Sequence, residues 1–359
     1  MIKTKIDINK SKIILSHLFK LGLISIIVLI LITYQLFAGK PFSFSKEFTL
    51  FTSKNAGGYF KPFFTTIEES LNSNQYTKAD YKDEWSFALD VAIQGMIIPS
   101  SQKNYDAELP DEYGNTSVTQ TAELRDNKES RNGKSPSSQP TLYGGISYPV
   151  FSAPQSSEVP DSYYKSVAFA EGKDKSFIGG LPVLQLIVGL PTKTDFRIRS
   201  IVLPVQDESL VYWGLIVNQR IDHYFHIFSA NNSQALALNI SFQSITRDAG
   251  IDISTFAIGA HWSNLIYNNL YVYSGLQYES MTGTFEAVRE NFSTEDVANS
   301  PYPEIREGRN LKFDIESFTS FRVIGGLSYI LDPVEFHVDA AYASQPIING
   351  GFKINIGSF

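Results

Sequence analysis

The nine residues from Val334 to Tyr342, VEFHVDAAY, decide the fold of this chain. Successive side chains of an extended strand point to opposite faces, so the valines, Phe336 and Tyr342 share one face. The other face carries the titratable side chains, which are Glu335, His337 and Asp339. A strand with large apolar groups on one face and charges on the other suits a closed barrel in lipid with a wet lumen. The stretch therefore predicts a transmembrane β-barrel.

The same period of two recurs along the chain. It is present between Trp85 and Met96, over Ala235 to Thr246, and in a series of segments from Leu181 onward. Some connections are tight, such as Leu331 to Pro333, whereas others are long and polar. Outer-membrane barrels show this asymmetry, with short periplasmic turns and long outer loops. The strands together predict an all-β fold, an antiparallel transmembrane β-barrel of about 12–14 strands with a short helical N-terminal segment.

Composition agrees with an exported membrane protein. The 359 residues are 43% apolar and 13% aromatic, and they include no cysteine. Disulfides and thiolate metal sites are therefore excluded. Five lysines and one aspartate give the first 38 residues a charge of +4, so the net charge of −7 leaves the rest at about −11. An acidic body argues against nucleic acid as a partner.

The amino terminus has the layout of a secretory signal peptide. Basic residues precede the apolar run from Leu21 to Ile32, and Ala38 and Gly39 offer small residues for cleavage. We predict a signal peptide over residues 1–38, although Leu36 stands where a small residue is preferred. The alternative is a permanent single-span anchor, for which the 17 residues from Leu21 to Phe37 are at the lower limit of length.

Residues 39–80 are predicted to form a periplasmic or plug segment. Aromatic residues at helical spacing favour a helix within Asn55 to Lys78, and Pro62 favours two short helices or a helix followed by a loop. Residues 81–359 are then the barrel, with long polar loops near 102–140, 152–175 and 286–310. The cluster of apolar residues within Arg220 to Ser229 predicts one amphipathic helical turn at a membrane interface.

The chain stops at an aromatic residue, Phe359. Outer-membrane barrels commonly end this way, and the barrel assembly machinery reads such a strand, so we expect that machinery as a partner. The apolar residues Phe352, Ile354 and Ile356 lie in the opposite phase to Phe359, and a bulge at Gly357 would restore the register.

Several short motifs carry a resemblance to a known family. They are Tyr59-Phe60-Lys61-Pro62, Leu71 to Tyr76 (LNSNQY), Phe87-Ala88-Leu89-Asp90, Leu181 to Leu186 (LPVLQL), Gly189-Leu190-Pro191 and the strand from Arg199 to Pro204. With these motifs the chain resembles an uncharacterised outer-membrane β-barrel family of Bacteroidota-type bacteria, the domain of unknown function numbered 6588. The resemblance implies fold and cellular location but no activity. A looser architectural likeness is to long-chain fatty-acid outer-membrane channels, which carry a helical N-terminal plug.

Charged residues collect in the lumenal phase of the predicted strands. They form either a ligand-binding or selectivity zone, because rings of charge tune pores, or a structural network of ion pairs that fills a narrow barrel, and we favour the network. The candidate lumenal ligand-binding residues are Asp90, Arg197, Arg199, Arg322, Glu335, His337 and Asp339. Aromatic residues near strand ends are interpreted as interface girdles, namely Tyr143, Tyr148, Trp213, Trp262, Tyr267, Tyr271, Tyr273, Tyr329 and Tyr342.

The sequence favours no enzyme, no cofactor and no metal. It contains neither a Gly-x-Ser-x-Gly elbow nor a phosphate-binding glycine loop nor a dinucleotide fingerprint. His223 and His226 beside Asp222 have the spacing of one helical turn, but nothing near them completes a metal site.

Two functions remain open on the sequence alone. The first is a channel or transporter for small or hydrophobic molecules, with outer-membrane lipid around it and a small or lipophilic ligand within it. The alternative is an outer-membrane anchor or scaffold whose long loops bind a partner, without transport. A soluble secreted β-sandwich is a third, less favoured option.

Overall fold

The computed structural model describes residues 51–81, 84–108, 119–124, 127–129, 138–146, 148–152, 166–205, 208–228, 233–247, 250–287, 298–316 and 321–358. The predicted signal peptide, Phe359 and parts of the long loops lie outside these residues. Within them, no helix combines the length and the apolar character needed to cross a membrane.

Ten antiparallel strands close into a barrel. In chain order they are β1 (Ser86–Ile97), β9 (Val183–Leu190), β10 (Thr194–Val205), β11 (Glu208–Arg220), β12 (Gln234–Arg247), β13 (Ile251–Tyr267), β14 (Leu270–Ala287), β16 (Phe321–Leu331), β17 (Val334–Tyr342) and β18 (Ile347–Ser358). Each pairs with the next in this order, and β18 pairs with β1, so the sheet has no free edge around the ring. Closure satisfies the backbone hydrogen bonds that an open sheet would expose to lipid.

The remaining strands lie outside the ring. They are β2 (Asn104–Asp106), β3 (Thr119–Leu124), β4 (Asn127–Glu129), β5 (Ser138–Pro140), β6 (Tyr148–Ser152), β7 (Ser166–Ala168), β8 (Phe177–Gly179) and β15 (Leu311–Glu316). β2 pairs with β5, and a second small sheet contains β3, β4, β6 and β7. β8 pairs with the loop end of β1, and β15 pairs with the loop end of β14. The predicted count of 12–14 barrel strands was therefore too high. Two of the strands outside the ring, β6 (Tyr148–Ser152) and β15 (Leu311–Glu316), pair within or beside the loops.

The barrel turns its apolar face outward. On β17, Phe336 and Val338 are 51% and 49% exposed, whereas Glu335 is 1% exposed. Trp213 on β11 and Leu238 on β12 are also about half exposed on the outside of the barrel, at 49% and 46%. This distribution is the reverse of a soluble protein's and confirms the phase predicted from the sequence.

The two ends of the barrel differ. At one end, called the turn end, the connections are residues 191–193, 221–233, 268–269 and 332–333. At the other, called the loop end, lie both long connections, residues 98–182 and 288–320, together with three short ones. β1 begins at the turn end, where Ser86 pairs with Ser358 and Gly189.

The longest helix among the described residues, α1 (Ser53–Leu71), is continuous through Pro62, so the predicted interruption there was wrong. Proline removes one backbone donor and crowds the preceding turn. Neighbouring side chains hold this turn: Gln345 Nε2 donates to Pro62 O (2.9 Å), and its Oε1 accepts from Thr66 (2.9 Å). Later in the chain, the described residues include a 3₁₀ turn (Ser100–Gln102) and the single-turn helices α2 (Asp222–Phe225) and α3 (Pro303–Arg306). The predicted helical turn within Arg220 to Ser229 is thus confirmed.

The seam between β1 and β18 contains one register shift. Phe87 pairs with Gly357 and Ala88 with Asn355, which leaves Ile356 as an extra residue. An irregularity expected at Gly357 is therefore present one residue earlier. The phase of Phe359 lies outside the described residues.

Candidate functional site: a plugged lumen

The helix α1 lies inside the barrel at the loop end. Its aromatic residues Tyr59, Phe60 and Phe64 pack in one apolar cluster with lumenal residues near the loop ends of β11 to β15. Thr52 caps the helix, because its hydroxyl accepts from the backbone N–H of Asn55 (3.2 Å). Apolar packing therefore fills the lumen at this end.

After α1 the chain continues toward the turn end as an irregular segment, residues 72–81 (NSNQYTKADY), called here the plug segment. It is largely buried and polar, like the lumenal wall around it. A buried irregular segment must find partners for its backbone groups outside itself, since it has no helix or sheet ladder. The wall side chains provide them.

Arg199 makes the most extensive of these contacts. Its Nη1 donates to Leu71 O (2.8 Å), and its Nη2 donates to Ser73 O (2.8 Å) and Asn74 O (2.8 Å). Its other bonds go to wall side chains, namely the amides of Gln185 and Gln243, both at 3.0 Å, and the Tyr212 hydroxyl at 3.5 Å. The guanidinium therefore satisfies carbonyls at the C-terminal end of α1, where the helix dipole favours a cation.

Arg322 contacts the last turn of α1 from the other side of the lumen. Its Nη2 donates to the carboxylates of Glu69 (2.6 Å) and Glu279 (3.1 Å), and its Nη1 donates to the Ser73 hydroxyl (2.7 Å). All three charged side chains are fully buried. One helix residue and two wall residues thus form a buried ionic cluster that depends on every member.

Asp90 links the plug segment to His337. Its Oδ1 lies 2.9 Å from His337 Nε2, and its Oδ2 accepts from Asn74 Nδ2 (3.0 Å) and Gln185 Nε2 (2.6 Å). β1, β9, β17 and the plug segment therefore meet at this one carboxylate.

The other two charges of β17 have separate partners. Glu335 accepts from Thr77 (2.8 Å) and Ser328 (2.7 Å), and Lys353 Nζ lies 2.5 Å from it. Asp339 accepts from Tyr273 (3.0 Å) and Asn349 (2.6 Å). Glu335, His337 and Asp339 therefore do not hydrogen-bond to one another, because same-face neighbours on a strand lie about 6.5–7 Å apart.

Arg197 lies near the turn end. It pairs with Asp195 (3.2 Å), and its Nη1 has no hydrogen-bond partner among the described residues. A cavity of about 430 Å³ opens here, lined by charged residues that include Lys78, Arg197, Glu335 and Lys353. All seven predicted lumenal residues are thus buried inside the barrel. Each of the seven contacts the plug segment, α1 or another wall residue, and the predicted ligand-binding role stays a prediction.

Aromatic residues of the plug segment also fix its path. The Tyr76 ring stacks on the His261 imidazole with centroids 3.9 Å apart, and Tyr81 lies 2.9 Å from His261 Nε2. Gly275 allows this approach, because a Cβ at that position would stand 2.0 Å from the Tyr76 hydroxyl. Sequence reasoning singled out neither Tyr76 nor Gly275 as lumenal, although the alternation of β14 places Gly275 on the inner face.

Three predicted girdle residues are internal instead. Tyr271 and Tyr273 are 9% and 1% exposed and point into the lumen, and Tyr143 is buried in the long loop, where burial raises its pKa to about 12. Their hydroxyl groups suit either a membrane interface or a polar lumen, so residue type alone did not distinguish them. Trp213, Tyr267, Tyr329 and Tyr342 are exposed on the outside, as the girdle requires.

At the turn end, Asp222 begins α2 and anchors it to the barrel. Arg220 donates to both its carboxylate oxygens (2.8 and 2.9 Å), and the backbone N–H of Leu236 donates to Oδ1 (3.0 Å). Partial burial opposes ionisation, but these bonds outweigh it and hold the pKa of Asp222 below its usual value. Asp222 is therefore engaged with Arg220, and across the described parts of the chain no three potential ligands gather into a metal site.

Comparison with known proteins identifies a family. The model of the "Family of unknown function (DUF6588)" matches residues 18–356. No curated protein matches the chain.

Solved structures similar to the chain are outer-membrane barrels. OmpTdeltaL8, a loop deletion mutant of OmpT from Vibrio cholerae, is 9% identical over 76% of this chain and 98% of its own, with a TM-score of 0.25. The KdgM porin is 10% identical over 48% and 91%, with a TM-score of 0.21. The β domain of the Bordetella autotransporter BrkA is 9% identical over 76% and 99%, with a TM-score of 0.27. At these scores the likenesses carry no functional argument.

Proposed function

Because the chain belongs to this family of unknown function, DUF6588, we propose its role from its own geometry: an outer-membrane anchor whose loop end binds a partner. The observation that carries the proposal is the hydrogen-bonded plug segment, held along the lumen by wall residues from several strands. In this arrangement the barrel supports a folded loop layer and does not conduct.

The outward apolar face supports a membrane location. Phe336, Trp213 and Leu238 present large side chains on the outside of a closed sheet, whereas the charged residues face inward. Transmembrane barrels require this distribution, and their long loops face the exterior. The loop end is accordingly assigned to the cell surface and the turn end to the periplasm.

The contacts of the plug segment favour a closed lumen. Withdrawing α1 and the plug segment would leave Arg322 and Glu279 without Glu69 and would remove three carbonyl partners from Arg199. Breaking one buried ionic cluster costs about 3–5 kcal/mol. Spontaneous opening is therefore rare under resting conditions.

The loop end is itself a folded layer. Ser53 donates to Glu304 through its backbone N–H and its hydroxyl, the latter at 2.7 Å, and Asn55 bonds with the backbone of Glu108 in both directions. The Tyr59 carbonyl accepts from the backbone N–H of Leu142 (3.0 Å). These bonds join α1 to both long connections, so the plug also fixes the surface that a partner would meet.

The channel hypothesis is supported by a different feature, the cavity of about 430 Å³ at the turn end. It would serve as a periplasmic vestibule if the plug segment moved. Planar-bilayer recordings of the purified protein separate the two functions. We expect no steady conductance from the native chain and steps of conductance from a variant with residues 72–78 replaced by glycine and serine. Steady conductance from the native chain, at the level of the variant, would establish a channel and overturn the anchor.

Photo-crosslinking on intact cells tests the partner. A crosslinker at Ser130, in the first long connection, should give a discrete conjugate, whereas one at Asn269, at the turn end, should not give the same species. If positions in neither long connection give a conjugate, the barrel presents nothing to a partner and the anchor role fails.

A further inference from the structure

The direction in which the chain passes through the barrel has a topological consequence. The first described residues lie at the loop end: Phe51 belongs to the apolar cluster there, and Ser53 bonds to Glu304 in the second long connection. The helix α1 then points toward the barrel centre, where Arg199 and Arg322 meet its last turn.

The plug segment continues to the opposite end. Asn74 reaches Asp90 at mid-barrel, and Ala79 N–H donates to Ser263 near the turn end of β13 (2.9 Å). Asp80 then meets Arg220, the last residue of β11, at 2.6 Å. β1 starts only after this, at Ser86. The chain therefore crosses the whole lumen once, from loop end to turn end, before the first strand begins.

From this path we infer that the chain upstream of residue 51 leaves the barrel at the cell surface, so that the mature amino terminus is displayed outside the cell. The inference rests on the proposed membrane orientation, in which the loop end faces the exterior. It also distinguishes between the two interpretations of the apolar run. An anchor in the inner membrane would have to lie on the periplasmic side, whereas residue 51 lies on the opposite side of the barrel.

Chain length makes the two positions incompatible. Only residues 39–50 separate the predicted cleavage site from Phe51. Twelve extended residues reach at most about 43 Å. A path back through the outer membrane would already use about 25–30 Å of this, before the periplasm is crossed. The inference therefore requires that the segment from Leu21 to Phe37 be removed, so that the new end of the chain lies outside.

Single cysteines test the topology directly, because the native chain has none. Ser45→Cys reports on the amino terminus, Ser130→Cys on the first long connection, and Asn269→Cys on the turn end. Intact cells are treated with a membrane-impermeant maleimide, and the outer membrane is permeabilised in a parallel sample. We expect Ser45→Cys and Ser130→Cys to label on intact cells at least about tenfold more than Asn269→Cys, and all three to label after permeabilisation.

The outcomes separate this inference from the proposed function. Labelling of Ser130→Cys but not Ser45→Cys on intact cells would overturn the surface amino terminus and leave the anchor standing. Labelling of Asn269→Cys alone would reverse the membrane orientation and overturn both. Amino-terminal sequencing of the protein from purified outer membranes is the second measurement. A start close to Gly39 is expected, and a chain that retains Leu21 to Phe37 would refute the inference without any variant.

Discussion

Arg199→Met should loosen the plug segment without leaving an opposite charge unpaired. Arg199 is fully buried, and its partners are carbonyls and neutral side chains. After substitution, Leu71 O keeps a bond from Gln243 and Asn74 O keeps one from Gln185. Ser73 O keeps none among the described residues.

The magnitude follows from that difference. The orphaned carbonyl of Ser73 costs about 1–3 kcal/mol, and the lost charge-assisted bonds to Leu71 O and Asn74 O cost about 1.5 kcal/mol each, so the plug should lose about 4–6 kcal/mol of stabilisation in all. Since the barrel strands keep their backbone hydrogen bonds, the substitution destabilises the plug segment before it destabilises the barrel. A population of open lumens, undetectable in the native chain, should become measurable.

Arg197→Met is the matched control. It lies on the same strand and the same face two residues earlier, and its hydrogen bonds go to Asp195 on the wall. Asp195 keeps a bond from Asn218 (2.6 Å) in the variant. The assays are conductance in planar bilayers and the temperature at which the folded, fast-migrating gel band converts to the unfolded one. If Arg199→Met and Arg197→Met behave alike in both assays, Arg199 does not retain the plug and the closed-lumen reasoning is refuted.

Three further outcomes are expected. Gly275→Val should displace Tyr76, whose hydroxyl would stand 2.0 Å from the new Cβ, and should lower the gel conversion temperature. Gly325→Ala, with open space around its Cβ, should leave that temperature unchanged. Equal shifts in the two variants would contradict the assigned path of the plug segment. Arg322→Met should cost about 3–5 kcal/mol because it removes the positive charge beside two buried carboxylates, Glu69 and Glu279. Adding Glu279→Gln should restore part of that loss in urea unfolding, and no restoration would mean that the cluster is not coupled. Because the pKa of Asp222 is lowered in the folded state, its contribution to stability is complete above its ordinary pKa near 3.9 and is lost as the pH falls through the lowered pKa. The thermal midpoint of Asp222→Asn should therefore converge with that of the native chain at the acid end. A constant difference between the two midpoints down to that pH would disprove the linkage.

The barrel wall could be predicted from the sequence because its signal is local. In β17 each side chain's face follows from its parity, and the inward position of Glu335, His337 and Asp339 depends on nothing else. The ring size could not be predicted in the same way. Leu311 to Glu316 has the composition of a barrel strand, and only its pairing along the loop end of β14 shows that it lies outside the ring.

The contacts of the plug segment could not be predicted from the sequence for a different reason. Arg199 binds main-chain carbonyls of Leu71, Ser73 and Asn74, and a carbonyl is the same whatever side chain it bears. The sequence could place Arg199 on the lumenal face but could not name its partners. The continuous helix through Pro62 is a similar case, because its support comes from Gln345, which is distant in sequence.

Only four residues separate Tyr81, the last residue of the plug segment, from Ser86 at the start of β1. A plug segment on so short a linker cannot diffuse away, and its effective concentration at the lumen stays in the millimolar range or above. A free peptide of the same sequence would therefore compete poorly for the lumen. Any opening would be brief and self-reversing, and it would need no second protein to reseal the membrane.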